Sequence, residues 1–185
     1  MWAVVGLGNP GLRYAATRHN AGRLFVKRLA RSWGVRLRKR RFLSKTAEAV
    51  RGGDRVVLAL PQTFMNESGR AVRALLEGLA LEAARCLVVF DDADLPLGDI
   101  RIRPEGGPGT HRGMASVVVE TGRTDFPRIR LGIGPVAEGE DIADFVLSPF
   151  ENEEKARFGE SLAAAEAALD LVLAGRLDRA MNAYN

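Results

Sequence analysis

Between Gly6 and Gly22 the chain reads G-L-G-N-P-G-L-R-Y-A-A-T-R-H-N-A-G, and this stretch concentrates groups able to act on a substrate. His19 can take up a proton near neutral pH, Asn9 and Asn20 bring amide donors and acceptors, and the glycines let a ligand approach the backbone closely. A second concentration, Asp91-Asp92-Ala93-Asp94-Leu95-Pro96, follows the apolar run Cys86 to Phe90. A histidine at the head of a helix feels the positive end of the helix dipole, which disfavours imidazolium and keeps the ring able to accept a proton. A carboxylate such as Asp91 on its other ring nitrogen would fix the tautomer and steady the charge that develops when water is deprotonated. With Asn9 and Asn66 to hold amide or carbonyl groups of a peptide-like substrate, the set describes metal-free ester or amide hydrolysis.

The same letters admit rival chemistries. Gly6-Leu7-Gly8-Asn9-Pro10-Gly11 matches the dinucleotide fingerprint G-x-G-x-x-G, yet Pro10 removes an N–H which that motif needs. No acid precedes Glu48, whereas the motif wants one about twenty residues on for the ribose. Asp91, Asp92 and Asp94 could collect magnesium, as in nucleases, a reading that predicts inhibition by chelator. His19, His111 and a single cysteine are too few ligands for a zinc site. G-x-S-x-G is absent, and Ser68, in the first turn of a helix, reads as a cap. A Gly-Asn-Pro-Gly run also serves as an ordinary tight turn.

The elements that must position these residues are legible as patterns. Residues 2 to 6 predict a strand, and Ala21, Leu24, Phe25, Leu29 and Trp33 predict an amphipathic helix over 20–33, closed by Gly34. Residues 42–50 and 55–60 flank Gly52-Gly53-Asp54 as a hairpin. A second helix is expected from about Asn66, with Val72, Leu75, Leu76 and Leu79 on one face. The apolar run 86–90 predicts a strand buried on both faces, with Asp91 in the loop after it. Alternation at 100–103 and 128–133 puts Arg101 with Arg103, and Arg128 with Arg130, on single strand faces. A glycine-rich loop, Glu105 to Gly113, opens onto a helix to about Thr121. Ser148-Pro149-Phe150-Glu151 reads as a capping box with proline at the first helical position, starting a long helix to Gly175 and a short tail helix. Strands mixed with crossover helices predict a single α/β domain over residues 1–185. It is a three-layer sandwich with a mixed, mostly parallel twisted sheet and helices on both faces. Ligands of such sheets sit beyond the carboxyl ends of the strands, where the loops after Val5, Leu60 and Phe90 would converge.

Composition narrows the setting. At 185 residues and 46% hydrophobic, the chain has enough material for one sizeable core. No apolar stretch approaches membrane-spanning length and the N-terminus lacks a signal-peptide layout, so a soluble protein with no membrane partner is expected. Cys86 has no second cysteine to pair with and sits in an apolar run, which suits a cytoplasmic protein with an inert core thiol. The net charge of +4 hides an asymmetry, because residues 1–47 hold twelve Lys and Arg and no acid, while the remainder holds fifteen bases against twenty-three acids. That lopsidedness suggests a basic face for a polyanion. Its densest part, Arg36 to Arg41, fits either phosphate contact or a solvated linker or strand edge.

Taken in order, G-L-G-N-P-G, Y-A-A-T-R-H-N-A-G, F-M-N-E-S-G-R-A-V, D-D-A-D-L-P-L-G, G-G-P-G-T-H-R-G and R-L-G-I-G resemble the bacterial peptidyl-tRNA hydrolases from about residue 3 to 150, and Ala180-Met181-Asn182 fits too. The resemblance implies a monomeric cytoplasmic enzyme that needs no cofactor. It would cleave the ester joining a peptide to the terminal ribose of tRNA and so recycle stalled peptidyl-tRNA. It implies His19 as the base that activates water, Asp91 as its partner, and Asn9 and Asn66 as holders of the peptide main chain and reacting carbonyl. Tyr14 and Met65 would line the pocket, and His111 falls in the family's mobile gate loop. Arg103 and Arg130 fall where the family clamps the tRNA 5′-phosphate. One position departs: Arg112 stands where the family carries an asparagine, and a guanidinium can donate to an oxyanion or phosphate but cannot accept. The expectation is that Arg112 contacts tRNA or the developing oxyanion. An RNA-binding homologue that has lost catalysis is the alternative, against which His19, Asp91, Asn9 and Asn66 are all retained.

Overall fold

The frame, in a computed structural model that describes residues 1–185, is a seven-stranded sheet. Its strands are β1 (Trp2–Gly6), β2 (Lys39–Arg41), β3 (Ser44–Arg51), β4 (Asp54–Pro61), β5 (Cys86–Pro96), β6 (Ile100–Arg103) and β7 (Arg128–Gly134), ordered β2-β3-β4-β1-β5-β7-β6. The four central strands, β4, β1, β5 and β7, run parallel. The expected hairpin β3–β4 adds antiparallel strands at one side, and β6 adds an unexpected antiparallel edge at the other.

Six helices cover the two faces: α1 (Ala21–Ser32), α2 (Ser68–Leu79), α3 (Arg112–Thr121), α4 (Ile142–Leu147), α5 (Asn152–Leu173) and α6 (Leu177–Tyr184). Alternate residues of the central strands feed two separate cores. Val4, Leu58, Leu87 and Val89 face α1 and α5, where Phe25, Val26 and Leu29 of α1 are fully buried, each contributing about 1.5–3 kcal/mol. Val5, Val57, Cys86 and Val88 face α2 and α3, meeting Val72, Leu75, Met114 and Val117. Burial pushes the Cys86 thiol up to about 12.

Two glycines set how tightly α1 docks. A Cβ on Gly6 would run into the Gly22 carbonyl, and one on Gly22 into the Val89 carbonyl. The first turn of α1 therefore lies directly against the ends of β1 and β5, just after His19.

Several expectations need correcting. Asp91 is not in a loop: β5 continues through Asp91–Pro96 because β7 keeps pairing with it, Asp91 opposite Leu131 and Asp92 opposite Gly132. Of the readings left open for Arg36 to Arg41, the strand edge is the one found, since Lys39–Arg41 pair with β3 as the exposed edge. Ser148 does not start the long helix. It ends α4, Pro149 makes a bridge with Thr17, and Phe150 is buried and stacked on Phe158 at 4.2 Å. The capping box belongs instead to Glu151 and Glu154.

Candidate active site

The site is assembled at the carboxyl ends of β1, β4 and β5 by hydrogen bonds that tie their loops together. Leu7 N–H donates to the Val89 carbonyl at 2.9 Å and Arg23 N–H to the Leu7 carbonyl at 3.0 Å, so the β1 loop is pinned to β5 and to α1. Asn20 then shapes the rest of that loop. Its Oδ1 accepts the Asn9 N–H at 2.7 Å, and its Nδ2 donates to the carbonyls of Asn9 at 3.0 Å and Tyr14 at 2.6 Å. The Asn9 side chain crosses to the β4 loop, where its Oδ1 accepts the Met65 N–H at 2.8 Å. That bond fixes the amide's orientation and leaves its Nδ2 as a donor with no protein partner.

His19 lies in a single 3-10 turn, Arg18–Asn20, immediately before α1. Its Nδ1 is 2.8 Å from Asp91 Oδ2, while Nε2 has no protein partner and the ring lines the cavity. The other Asp91 oxygen, Oδ1, is 3.1 Å from His111 Nε2. Asp91 is buried, which works against its charge, but the His111 and His19 imidazoles outweigh burial and hold the carboxyl well below the ordinary aspartate range. The turn carrying His19 is itself anchored. Arg18 is buried with its guanidinium over the Phe145 ring, and it forms a two-pronged bond to Glu154 at 3.0 and 2.8 Å. Burial raises the Glu154 carboxyl, but the Arg18 fork and the Glu151 N–H bring it below the usual glutamate value.

His19, Asp91 and His111 offer three ligand atoms within 4.8 Å of one another, the outline of a two-histidine, one-carboxylate metal centre. The protons argue otherwise. His111 is the N-cap of α3, and its Nδ1 accepts the Met114 N–H at 3.1 Å. A neutral ring whose Nδ1 accepts must carry its proton on Nε2, so the nitrogen facing Asp91 is a donor with no lone pair for a cation. The magnesium reading fares no better. Asp92 accepts from Arg130 and from the Asp94 N–H, and Asp91 from the two imidazoles, so the acids do not converge on an ion.

The cavity above these groups has a volume of about 610 Å³. Tyr14 and Met65 form part of its wall, and exposed Asn66 reaches it with no protein partner. Ile142 and Leu147 of α4 add a half-exposed apolar side. Opposite them stand arginines in differing states. Arg103 and Arg112 are exposed and unpaired, whereas Arg130 is bonded to Asp92. Arg128 is buried and donates to the carbonyls of Phe126, Gly107 and Thr124, so it ties down the base of the glycine-rich loop. Burial is the main reason its pKa is lowered.

A sequence model described as Peptidyl-tRNA hydrolase matches residues 3–185. The peptidyl-tRNA hydrolase of Chloroflexus aggregans is 48% identical over 186 residues, covering 100% of this chain and 99% of its own, and that of Desulforudis audaxviator is 47% identical with 100% and 93% covered. The chain belongs to the peptidyl-tRNA hydrolase family. The solved peptidyl-tRNA hydrolase of Acinetobacter baumannii superposes with a TM-score of 0.93 at 33% identity, over 100% of this chain and 96% of that one.

Of the residues singled out in the sequence, Asn9, Tyr14, His19, Met65, Asn66, Asp91, Arg103, His111, Arg112 and Arg130 all line this one cavity of the peptidyl-tRNA hydrolase fold. The basic strand β2 does not; it lies at the far edge of the sheet. Sequence reading missed the anchoring roles of Arg18, whose partners Ser148 and Glu154 are distant in the chain, and of Arg128, which it placed only on a strand face beside Arg130. It also missed α4, although Asp141, whose Oδ1 accepts the Ala143 and Asp144 N–H groups, is an ordinary helix-start signal.

Proposed function

We propose that this protein hydrolyses the ester between a peptide, or an N-blocked aminoacyl group, and the terminal ribose of tRNA, acting as a monomer in the cytoplasm. The observation that carries the reading is the buried His19–Asp91 pair, with Nε2 of His19 open to a cavity that Asn9 and Asn66 also face.

His19 Nε2 takes a proton from water as the water oxygen attacks the ester carbonyl carbon, and Asp91 steadies the imidazolium that results. The Asn9 Nδ2 and the Asn66 amide hold the peptide main chain and the reacting carbonyl, whose oxygen gains charge in the tetrahedral intermediate. Collapse breaks the carbon–oxygen bond to the ribose, and the imidazolium returns its proton to the departing ribose oxygen. Tyr14 and Met65 bound the pocket near the tRNA end. Arg103 and Arg130 hold the 5′-phosphate, for which Arg130 must share itself between Asp92 and the incoming anion. Arg112, exposed at the first turn of α3, contacts tRNA or the oxyanion. No step calls for a metal or cofactor.

The test is release of an N-blocked amino acid from tRNA, in chelator, by wild type and His19→Ala, with free aminoacyl-tRNA as control. Hydrolysis of the blocked substrate alone, reduced about 10²–10⁴-fold in the variant, is the expected result. Binding of tRNA with no hydrolysis by the wild type would favour the RNA-binding alternative, and loss of activity in chelator would revive the metal reading.

A further inference from the structure

Asp91 divides its two oxygens between two imidazoles that differ in what they can do. His19 has a free Nε2 and can become an imidazolium. His111 cannot do so without cost, because a proton on its Nδ1 would point at the Met114 N–H that now donates to it. Its ring is held from both sides, 4.8 Å from Phe90 and 5.0 Å from His19, centroid to centroid. His111 is therefore a neutral donor of fixed tautomer, anchored to the first turn of α3 and presented to the second oxygen of the carboxylate that serves His19.

We propose that His111 is a positioning residue that tempers the Asp91–His19 pair: by donating Nε2–H to Asp91 Oδ1 it draws off part of the carboxylate's charge, so that His19 gives up its proton more readily than it would beside an unshared carboxylate. A carboxylate favours a neighbouring imidazolium in proportion to the charge it can present, and a hydrogen bond to its other oxygen weakens that pull. Because His111 also ends the glycine-rich loop, docking of that loop and the basicity of His19 are coupled through one carboxylate. The other charged groups nearby leave this relation intact. Asp92 is bonded to Arg130, and Arg18, beside His19 in the chain, to Glu154. Arg128 is spent on three carbonyls, and Arg112 is solvent-exposed. Asp94, Arg103 and Glu105, which also line the cavity, have no ion pair.

The inference rests on the hydrolase reading for its meaning, but its test does not need activity. Nitrogen NMR of the histidine rings reports tautomer and titration directly, in wild type, His111→Asn and His111→Phe. Asparagine keeps an N-cap acceptor for Met114 N–H but is too short to reach Asp91. Phenylalanine keeps an aromatic ring between Phe90 and His19 and loses both bonds. In the wild type His111 should show the neutral Nε2–H form throughout the His19 titration. In both variants the midpoint of the His19 titration should move to higher pH by about half to one unit, a three- to tenfold change in its protonation equilibrium. The acid limb of the kcat/KM profile should follow it. An Nδ1–H or doubly protonated His111 at neutral pH would overturn the proposal, as would an unmoved His19 midpoint in folded His111→Asn. A purely structural role for His111 predicts lower stability in His111→Phe with no such movement.

Discussion

Asp91 holds a negative charge where burial opposes it, and only its two imidazole donors make that tolerable. A carboxyl whose folded-state pKa is depressed adds stability that is fully present above its unfolded value, about 3.9. That stability is lost as pH falls from there toward the folded value. Asp91→Asn should thus unfold in less urea at neutral pH, by about 1–3 kcal/mol, because an amide cannot accept from both rings as the carboxylate does. Below pH of about 4 its stability should also fall less steeply than the wild type's. Parallel acid limbs in the two proteins would mean that the Asp91 charge is not stabilised by the fold. The members of the cluster were legible in the chain, since His19, Asp91, Asn9 and Asn66 are recognisable as types and all line one cavity. Their supports were less so. Asn20 reads as one more amide, and only its three bonds to the loop and its burial reveal that it shapes the backbone.

Helix α5 opens with Glu154 acting twice, as the capping-box acid for Glu151 N–H and as the counter-ion of buried Arg18. Its truncation leaves a guanidinium without its partner under Phe145. Loss of a fully buried pair costs about 3–5 kcal/mol. Glu154 is partly exposed, so Glu154→Ala should cost about 2 kcal/mol in urea unfolding and lower kcat by loosening the turn that carries His19. Full activity alongside that loss of stability would show that the turn is held by other contacts. Apolar runs, alternation and helical spacing found the central strands and α1, α2 and α5, whose buried faces show in the letters, and the glycine-rich loop marked the start of α3. They failed where pairing or a distant partner decides. Asp91 stays in β5 only because β7 extends alongside. Phe150 belongs to the core, which moves the cap three residues on from Ser148, to Glu151.

For the whole molecule, positive charge lies on both flanks of the site in different roles. Arg103 and Arg130 stand on β6 and β7, while Arg40 and Arg41 stand on β2, with β3, β4, β1 and β5 in between. Arg103 is exposed, lines the cavity and has no ion pair, which suits the phosphate contact proposed for it. Arg103→Gln should therefore reduce the slope of log affinity for tRNA against log salt by about one. An unchanged slope would remove Arg103 from the interface. Strand β5, one of the four central parallel strands, also carries the chain's only thiol. Cys86 opens β5, a few residues before Asp91, and at a pKa of about 12 in a sealed core it forms almost no thiolate for an electrophile to find. Alkylation must wait until β5 leaves its neighbours, so the protein bears an internal clock whose ticks are openings of the strand on which the site is built.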